Sequence, residues 1–430
     1  MSLLTADILV PSTNKKYDIS NVLQSVEDTG VFGHLLVAQP DALVRYDVNG
    51  SVISREKHSF HSRAELRNSL IQESRSQICI CVDNDILLQP GFVEGHIQAH
   101  QHFTGAMVVG PVYARKMTGK AFARFQNVLD TVDPATLKDE LSTHPVFCDP
   151  RSDAGIFSDN RSPYSIRHLD TAWRYMWTCN ISFPRDAALA YGGFDDGFNG
   201  WGLEDEEFAY RFFLHGADLV VADDAWGIHQ YHDRDMVRNE DDWYQNLEYF
   251  FRKWTNHDIE FLRLGVTGFQ GASMLIPGLL EHDEKIDEKV IDEVMASEAP
   301  SSRCMYFYPS DDGCSELLSR AGITHALLPH KFTCKQPFDK DGVTFLPLAG
   351  MSTQFPDDYF QEVIVVQNKI LHFNTLILRS LFLEFSRISR VVLLYSWGPL
   401  GGEEKNLRIL NEAERICGNK LHIPCRKEAV

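Results

Sequence analysis

The sequence predicts an α/β chain of two domains, and three observations carry that expectation. Short β-rich runs alternate with helical patterns from the start of the chain. The alternation breaks near residue 280 in an acidic helical stretch and then resumes. The length of 430 residues corresponds to two or three domains at roughly 100 to 200 residues each. With 44% hydrophobic and 23% charged residues, such a chain can bury a full core without disulfide or metal staples.

Each element has a local reason. Asp7–Pro11 (DILVP) reads as a buried strand, Asp18–Glu27 as a helix and Leu35–Ala38 as a second strand. Leu43–Ile53 reads as a hairpin turning at Asn49-Gly50, a dipeptide that tolerates the left-handed backbone of a tight turn. Ser62 with Glu65 three residues on has the capping-box spacing, which predicts a helix over Ser62–Glu73. Ile78–Val82 (ICICV) is a buried strand that runs straight into Asp83-Asn84-Asp85, and Met107–Val112 reads as another strand. From about Asp130 to Thr171 the periodicity gives way to Pro, Asp, Ser and His. That is long for a structureless loop and is expected to be functional or poorly ordered. Order returns with Trp173–Phe183, a helix over Glu204–Leu214, a strand at Leu219–Ala222 and an aromatic-rich helix over Asp242–Trp254.

Glu281–Glu298 places Ile286, Val290, Ile291 and Val294 on one face of an acidic helix, read as a linker. Strands are then expected at Met305–Tyr308, Ala326–Leu328, Val343–Pro347, Val363–Val366, Val391–Tyr395 and Leu421–Ile423. The domains on this reading are 1–275, a linker 281–298, and a smaller α/β domain 299–430.

The formal net charge is −19, with acid in excess on both sides of residue 280. That argues against nucleic acid or an anionic membrane as partner. A phosphate-bearing substrate would need a cation or a local basic pocket. Nine cysteines with no C-x-x-C, the nearest pair being Cys79 and Cys81, suggest a reduced interior. The opening MSLLTADILVPS lacks the basic and long apolar regions of a signal peptide. The apolar stretch Leu262–Leu280 is broken by Arg263, Gln270, glycines and Pro277, so no membrane span is expected. The expectation is a cytoplasmic protein of open oligomeric state.

Three groups of residues point to chemistry. Asp83 and Asp85 leave the carboxyl end of a buried strand, where open α/β sheets bind ligands. Hard oxygen ligands there suit Mg²⁺ or Mn²⁺, although two acids after a strand can equally be a solvated loop. Gly200-Trp201-Gly202-Leu203-Glu204-Asp205-Glu206-Glu207 sets a tight turn before four acids that open a helix. Acids in a first turn also meet the helix dipole favourably, which accounts for one or two of them. His229-Gln230-Tyr231-His232 follows a strand, and a neutral imidazole there can ligate a metal.

Taken in order, these residues resemble nucleotide-sugar glycosyltransferases of the GT-A fold, Rossmann-like with a mixed central sheet. The resemblance is to the group that holds bacterial chondroitin polymerases, polypeptide N-acetylgalactosaminyltransferases and β-1,4-galactosyltransferases. It spans about Ala6 to Trp254. Ile8 to Asn14 looks like the first-strand signature, so Pro11, Thr13 and Asn14 are implied at the nucleotide. Arg67-Asn68 resembles the pair on the helix before the metal strand, and Asp83-Asn84-Asp85 matches the D-x-D. Asn180–Phe183 through Gly192–Asp195 resembles the segment before the acceptor loop, and GWGLEDEE is the most diagnostic stretch.

The resemblance implies Asp85 and His229, with Asp83, around Mn²⁺ or Mg²⁺. It places Arg67, Asp83 and Asn84 at the donor, Asp205 as catalytic base with Glu204 beside it, and Trp201, Gly202 and Glu204 at the acceptor. One departure stands out. The turn after the second strand, usually acidic and Gly/Ser-containing, reads Ala38-Gln39-Pro40-Asp41-Ala42, with Asp41 as its acid.

The function implied is metal-dependent transfer of a sugar from a nucleotide sugar, usually uridine-linked, to a hydroxyl of a glycan, lipid-linked or peptide acceptor, with inversion. A retaining transferase, a metal-dependent nucleotide-sugar hydrolase or phosphoesterase, and a silent binding protein are the rivals. In the second domain Pro309-Ser310-Asp311-Asp312-Gly313 lacks a G-x-G-x-x-G, and Tyr395–Gly402 is a glycine-rich turn. A packing or partner-binding role is expected there, because the G-W-G run with its following acids does not recur.

Overall fold

The computed structural model describes residues 4–12, 22, 25, 26, 32–113, 166, 171–229, 236–263, 292, 294–296, 302–306, 314–328, 336–366, 370, 375–395 and 404–424. The chain divides into two compact units, Met1–Asn246 and Leu247–Val430. The division lies upstream of residue 275, where the sequence reading placed it. Of the expected linker helix, Asp292 and Val294–Ala296 are helical and the rest lies outside the described residues.

The first unit is built on β1 (Ala6–Pro11), β2 (Leu35–Gln39), β3 (Ala42–Tyr46), β4 (Val52–Lys57), β5 (Ile78–Val82), β6 (Ile86–Leu88), β7 (Met107–Val109), β8 (Val112–Tyr113), β9 (Asn180–Pro184), β10 (Leu219–Val221) and β11 (Gly227–His229). Eight of these form one sheet in the order β10-β7-β9-β5-β1-β2-β3-β4, and β6-β11-β8 form a second. The large sheet is mixed, as expected. β1 is parallel to β2 and β5, whereas β9 runs antiparallel to β5 and β7. Its centre is apolar on both faces: Ile8, Val10, Ile78, Ile80 and Val82 are buried on one and Leu9, Cys79 and Cys81 on the other, as a strand covered on two sides requires.

Local signals settle the helices and turns. α1 (Arg63–Glu73) starts with the capping box, in which Ser62 Oγ accepts the Glu65 N–H at 3.0 Å and Glu65 accepts the Ser62 N–H at 3.3 Å. The β3–β4 hairpin turns through Gly50 at φ 73°. α2 (Phe92–His102) was not expected. Its buried His96 sits between Asn180 Oδ1 at 2.9 Å and Ser182 Oγ at 2.8 Å, and His100 reaches the same hydroxyl at 2.8 Å. Burial pushes His96 down to about 4 and His100 to about 3, so both are neutral at pH 7. α3 (Arg185–Ala190), α4 (Glu204–Leu214) and α5 (Met236–Lys253) follow.

Met107–Val112 is two strands in two sheets, not one. A Cβ on Gly110 would lie 1.7 Å from the Ala225 carbonyl oxygen, so the chain passes tightly under that residue. Pro111 then has no N–H to continue the ladder.

The second unit contains α6 (His257–Arg263), β12 (Arg303–Tyr306), α7 (Ser315–Arg320), β13 (Ile323–Leu327), β14 (Phe338–Lys340), β15 (Val343–Leu346), β16 (Phe360–Val366), α8 (Thr375–Ile388), β17 (Ser389–Tyr395), α9 (Glu404–Cys417) and β18 (Leu421–His422). Its sheet order is β14-β15-β13-β12-β16-β17-β18, all parallel except the β14–β15 hairpin. Leaving out β14, that is the doubly wound order with a switch between β12 and β16. α6 belongs here because Glu260 accepts the N–H groups of Ala349, Met351 and Ser352 at 2.6, 2.6 and 2.8 Å. Among the described residues no helix is long and apolar enough to cross a membrane.

Candidate active site

β5 delivers Asp83, Asn84 and Asp85 to the carboxyl end of the sheet. Asn84 Nδ2 donates to Ser12 Oγ at 3.1 Å, tying this turn to the residue after β1, where Pro11 is buried. The chain then turns into β6, which pairs antiparallel with β11 and brings His229 opposite Ile86. His229 Nε2 lies 3.6 Å from Asp85 Oδ2. Burial, reinforced by the charge of Asp85, pushes the Asp83 carboxyl up to about 6, with Arg67 and Arg63 opposing.

Asp85 and His229 are therefore together, as expected. Asp83 does not complete a cluster with them: among the described residues no three His, Cys, Asp or Glu side chains gather around one point. One carboxylate from the turn before β6 and one imidazole from β11 suit a divalent cation that takes its remaining ligands from water or a diphosphate. His232, Thr13 and Asn14 lie outside the described residues.

The second group is built by α4. Leu203 caps it in the left-handed region at φ 70°, a strained setting for a branched residue. The four acids that follow have four different surroundings. Glu204 is buried and accepts from Arg67 Nη1 at 2.9 Å, while Arg67 Nη2 donates to Thr178 Oγ1 at 2.8 Å. Burial alone would raise Glu204, but the charge and hydrogen bond of Arg67 hold it below the usual carboxylate range. Asp205 accepts the Glu206 N–H at 3.0 Å and the Thr178 N–H at 3.4 Å. Burial and the neighbouring Glu204 push it up to about 7, against Arg67. Glu206 is pushed up to about 8 by burial, with Arg174 at 3.8 Å opposing. Glu207 bonds Arg211 one turn on at 2.9 Å.

The Gly-Trp-Gly turn before α4 is fastened to α5. Gly200 and Gly202 have φ of 73° and 98°, and a Cβ on them would lie 2.1 Å from Asp242 Oδ2 and 2.9 Å from Trp243 Cδ1. Glycine is needed at both for conformation and for space. The Trp201 N–H donates to Asp242 at 3.1 Å. Asn246 Nδ2 donates to the carbonyls of Asn199 at 2.9 Å, Trp201 at 3.4 Å and Gly202 at 2.8 Å, and its Oδ1 accepts the Asn199 N–H at 3.1 Å. Asp242 and Asn246 escaped the sequence reading. Their i, i+4 spacing on a polar helix was the available signal.

A cavity of about 550 Å³ opens beside this turn, lined by Phe60, Phe198, Trp201 and Glu204 among others. Arg67, expected at the donor, is spent on Glu204 and Thr178 and lies 5.1 Å from the Phe194 ring. Asp41 is exposed on the turn between β2 and β3, where its carbonyl accepts the His58 N–H at 3.1 Å.

The mixed sheet, the acidic strand end and the acidic helix behind a Gly-Trp-Gly turn belong to a chain that is similar in sequence to glycosyltransferases. More particularly, residues 165–233 match the family model described as the N-terminal domain of galactosyltransferase. That segment holds β9, the Gly-Trp-Gly turn, α4 and His229. The chain is 28% identical over 202 residues to the validoxylamine A glucosyltransferase of Streptomyces hygroscopicus subsp. jinggangensis, covering 44% of each chain. It is 24% identical over 182 residues to the chondroitin synthase of Pasteurella multocida, covering 41% of this chain and 18% of that one. The chain thus spans less than half the length of these relatives. Among solved structures it is similar to GalNAc-T7 with UDP, GalNAc and Mn²⁺, at a TM-score of 0.41 and 12% identity, covering 60% of this chain and 49% of that one.

Proposed function

We propose that the first unit transfers a sugar from a nucleotide sugar, a uridine diphosphate sugar by its resemblance, to an acceptor hydroxyl with inversion at the anomeric carbon. The observation that carries the reading is Asp205. It is a half-buried carboxylate, fixed by two backbone N–H groups and raised to about 7. A general base works best with a pKa near the working pH.

In this scheme the acceptor oxygen attacks the anomeric carbon while its proton passes to Asp205. The bond from that carbon to the diphosphate oxygen breaks, and the electron pair leaves with the nucleoside diphosphate. A divalent cation held by Asp85 and His229 would neutralise the charge that grows on the departing diphosphate. Glu204, clamped by Arg67, holds the head of α4 and so the aim of Asp205. Trp201 offers a ring face for the acceptor sugar. Glycan, lipid-linked and peptide acceptors all fit this chemistry.

The test is a melting-temperature screen of nucleoside diphosphates with and without Mn²⁺, followed by proton NMR of the product from the one that binds. A ligand that binds only the folded state raises the melting temperature by mass action. A metal-dependent shift with UDP and a product of opposite anomeric configuration are expected. A retained anomer would move Asp205 from base to another role, and donor breakdown indifferent to every acceptor would favour a hydrolase.

A further inference from the structure

Resting on that reading, the bonds around Asp205 say what aims it. Its Oδ1 accepts the Glu206 N–H at 3.0 Å and its Oδ2 accepts the Thr178 N–H at 3.4 Å. Residues on both sides of that carboxylate converge on one side chain. Arg67 of α1 donates through Nη1 to Glu204, the residue before the base, at 2.9 Å. Through Nη2 it donates at 2.8 Å to the hydroxyl of Thr178, the residue whose N–H meets Oδ2. Arg67, Glu204 and Thr178 are 4%, 6% and 3% exposed, so water does not compete for these bonds. The next residue of α1 fixes the arginine itself. Asn68 Oδ1 accepts the Phe194 N–H at 2.7 Å, and Asn68 Nδ2 donates to the Phe194 carbonyl at 2.8 Å. A Cβ on Gly193 would press into that Oδ1, so the clasp needs the glycine.

We infer that Arg67 is the positioning residue for the base, acting through Glu204 and Thr178 and not on the donor, with Asn68 holding it in place. A guanidinium is planar and presents its N–H groups in a fixed fork. One such group therefore sets the spacing between the head of α4 and Thr178, and Asp205 is joined to both. Arg303 of β12, buried as deeply, is used differently. It bonds the carbonyls of Val294 and Ala321 as well as Glu362, a set that ties backbone to backbone. Arg67 bonds two side chains and no carbonyl among the described residues. A donor phosphate could reach it only by displacing one of them. Displacing Glu204 would leave a buried carboxylate without its cation, a costly exchange.

The experiment is a double-substitution cycle on the full chain, reading kcat, acceptor KM, UDP affinity with Mn²⁺ and melting temperature. Arg67→Lys keeps the charge but cannot span both acceptors. It should lower kcat roughly 10- to 100-fold, the loss a misplaced catalytic group brings, with UDP affinity within a few-fold. Thr178→Val removes the hydroxyl, leaves the backbone N–H, and should lower kcat about tenfold or less. It carries the test if Arg67→Lys does not fold. The deciding readout is each substitution repeated in Asp205→Asn, where no base is left to aim. There the losses should shrink to within about twofold, because residues that act as a unit are not additive. Losses of the same factor in both backgrounds overturn the inference and make the network structural. Unchanged kcat in both single variants overturns it as well. A fall in UDP affinity that matches the fall in kcat also does so, and places Arg67 at the donor. Asp205→Asn alone separates the two levels. If it turns over at the wild-type rate, the base reading fails and takes this inference with it. If it is slow and the other losses still add, this inference fails alone.

Discussion

Both units bury carboxylates in an α/β framework, yet they treat them differently. In the first unit Asp205 and Asp83 stand raised at the ends of a helix and a strand, and Arg63 faces a cavity unpaired among the described residues. In the second unit a cavity of about 340 Å³ is also lined by charge, but the charges answer one another. Arg263 bonds Glu248 at 2.6 Å and Arg387 bonds Glu384 at 2.6 Å. Glu260 is closed off by three backbone N–H groups. Buried acid alone is therefore no mark of a site. What marks one is acid or base left over after the local hydrogen bonds are counted, next to space a ligand can fill.

The largest effect that would break this contrast comes from Asp205→Asn. Turnover should fall by roughly 10²- to 10⁴-fold, the share general-base catalysis usually supplies, with donor affinity held within a few-fold. Steady-state rates and nucleotide titrations check both halves. Equal loss of both would make Asp205 a binding or structural group like Glu260. Next comes Asp85→Ala, which should weaken Mn²⁺-dependent UDP binding by about tenfold or more, since a hard cation would lose its carboxylate. Titration of UDP with and without Mn²⁺ reads it directly. Unchanged metal dependence would reduce the Asp85–His229 pair to an ordinary contact.

Asn246→Ala should have a smaller effect and sharpens the same boundary. It removes the donor to three carbonyls and the acceptor of the Asn199 N–H. Leaving such groups unsatisfied costs about 1–3 kcal/mol. The acceptor KM should rise about tenfold while donor affinity holds, because the turn that carries Trp201 loosens and the Asp85 end does not. A drop in kcat with KM unchanged would mean the turn positions Asp205 instead.

Much of this was legible in the sequence where the cause is local. The Ser62–Glu65 capping box, the Asn49-Gly50 turn and the apolar ICICV strand each need only neighbouring residues, and each formed as read. The helix over Glu204–Leu214 matched at both ends. What escaped depends on distant partners. The break at Gly110-Pro111 exists because Ala225 crosses there. Asp242 and Asn246 look like solvated helix polars until the turn at 199–202 is laid against them. Arg67 reads as a ligand-binding arginine until Glu204 arrives 137 residues later to claim it. The spent or unspent state of a charge is a tertiary property, and for that reason the sequence could name the candidate residues but not their electrostatics.

The smallest expected effect tests the closed side of the contrast. Burial pushes Glu260 up from 4.5 to about 8, against its three N–H donors and with Glu384 adding to the rise. A carboxyl raised on folding binds its proton more tightly in the native state than in the unfolded one. Native protein therefore holds more protons between those two values, and stability falls as pH rises through that window. The melting temperature of the wild type should decline from about pH 4.5 towards about pH 8 more steeply than that of Glu260→Gln, which has no proton to lose. Transfer activity at a fixed temperature below melting should be the same in both. If the slopes coincide, the three N–H groups hold Glu260 ionised throughout. If instead the substitution lowers transfer without touching stability, Glu260 is not a closed structural acid, and the second unit takes part in the chemistry that the contrast assigns to the first.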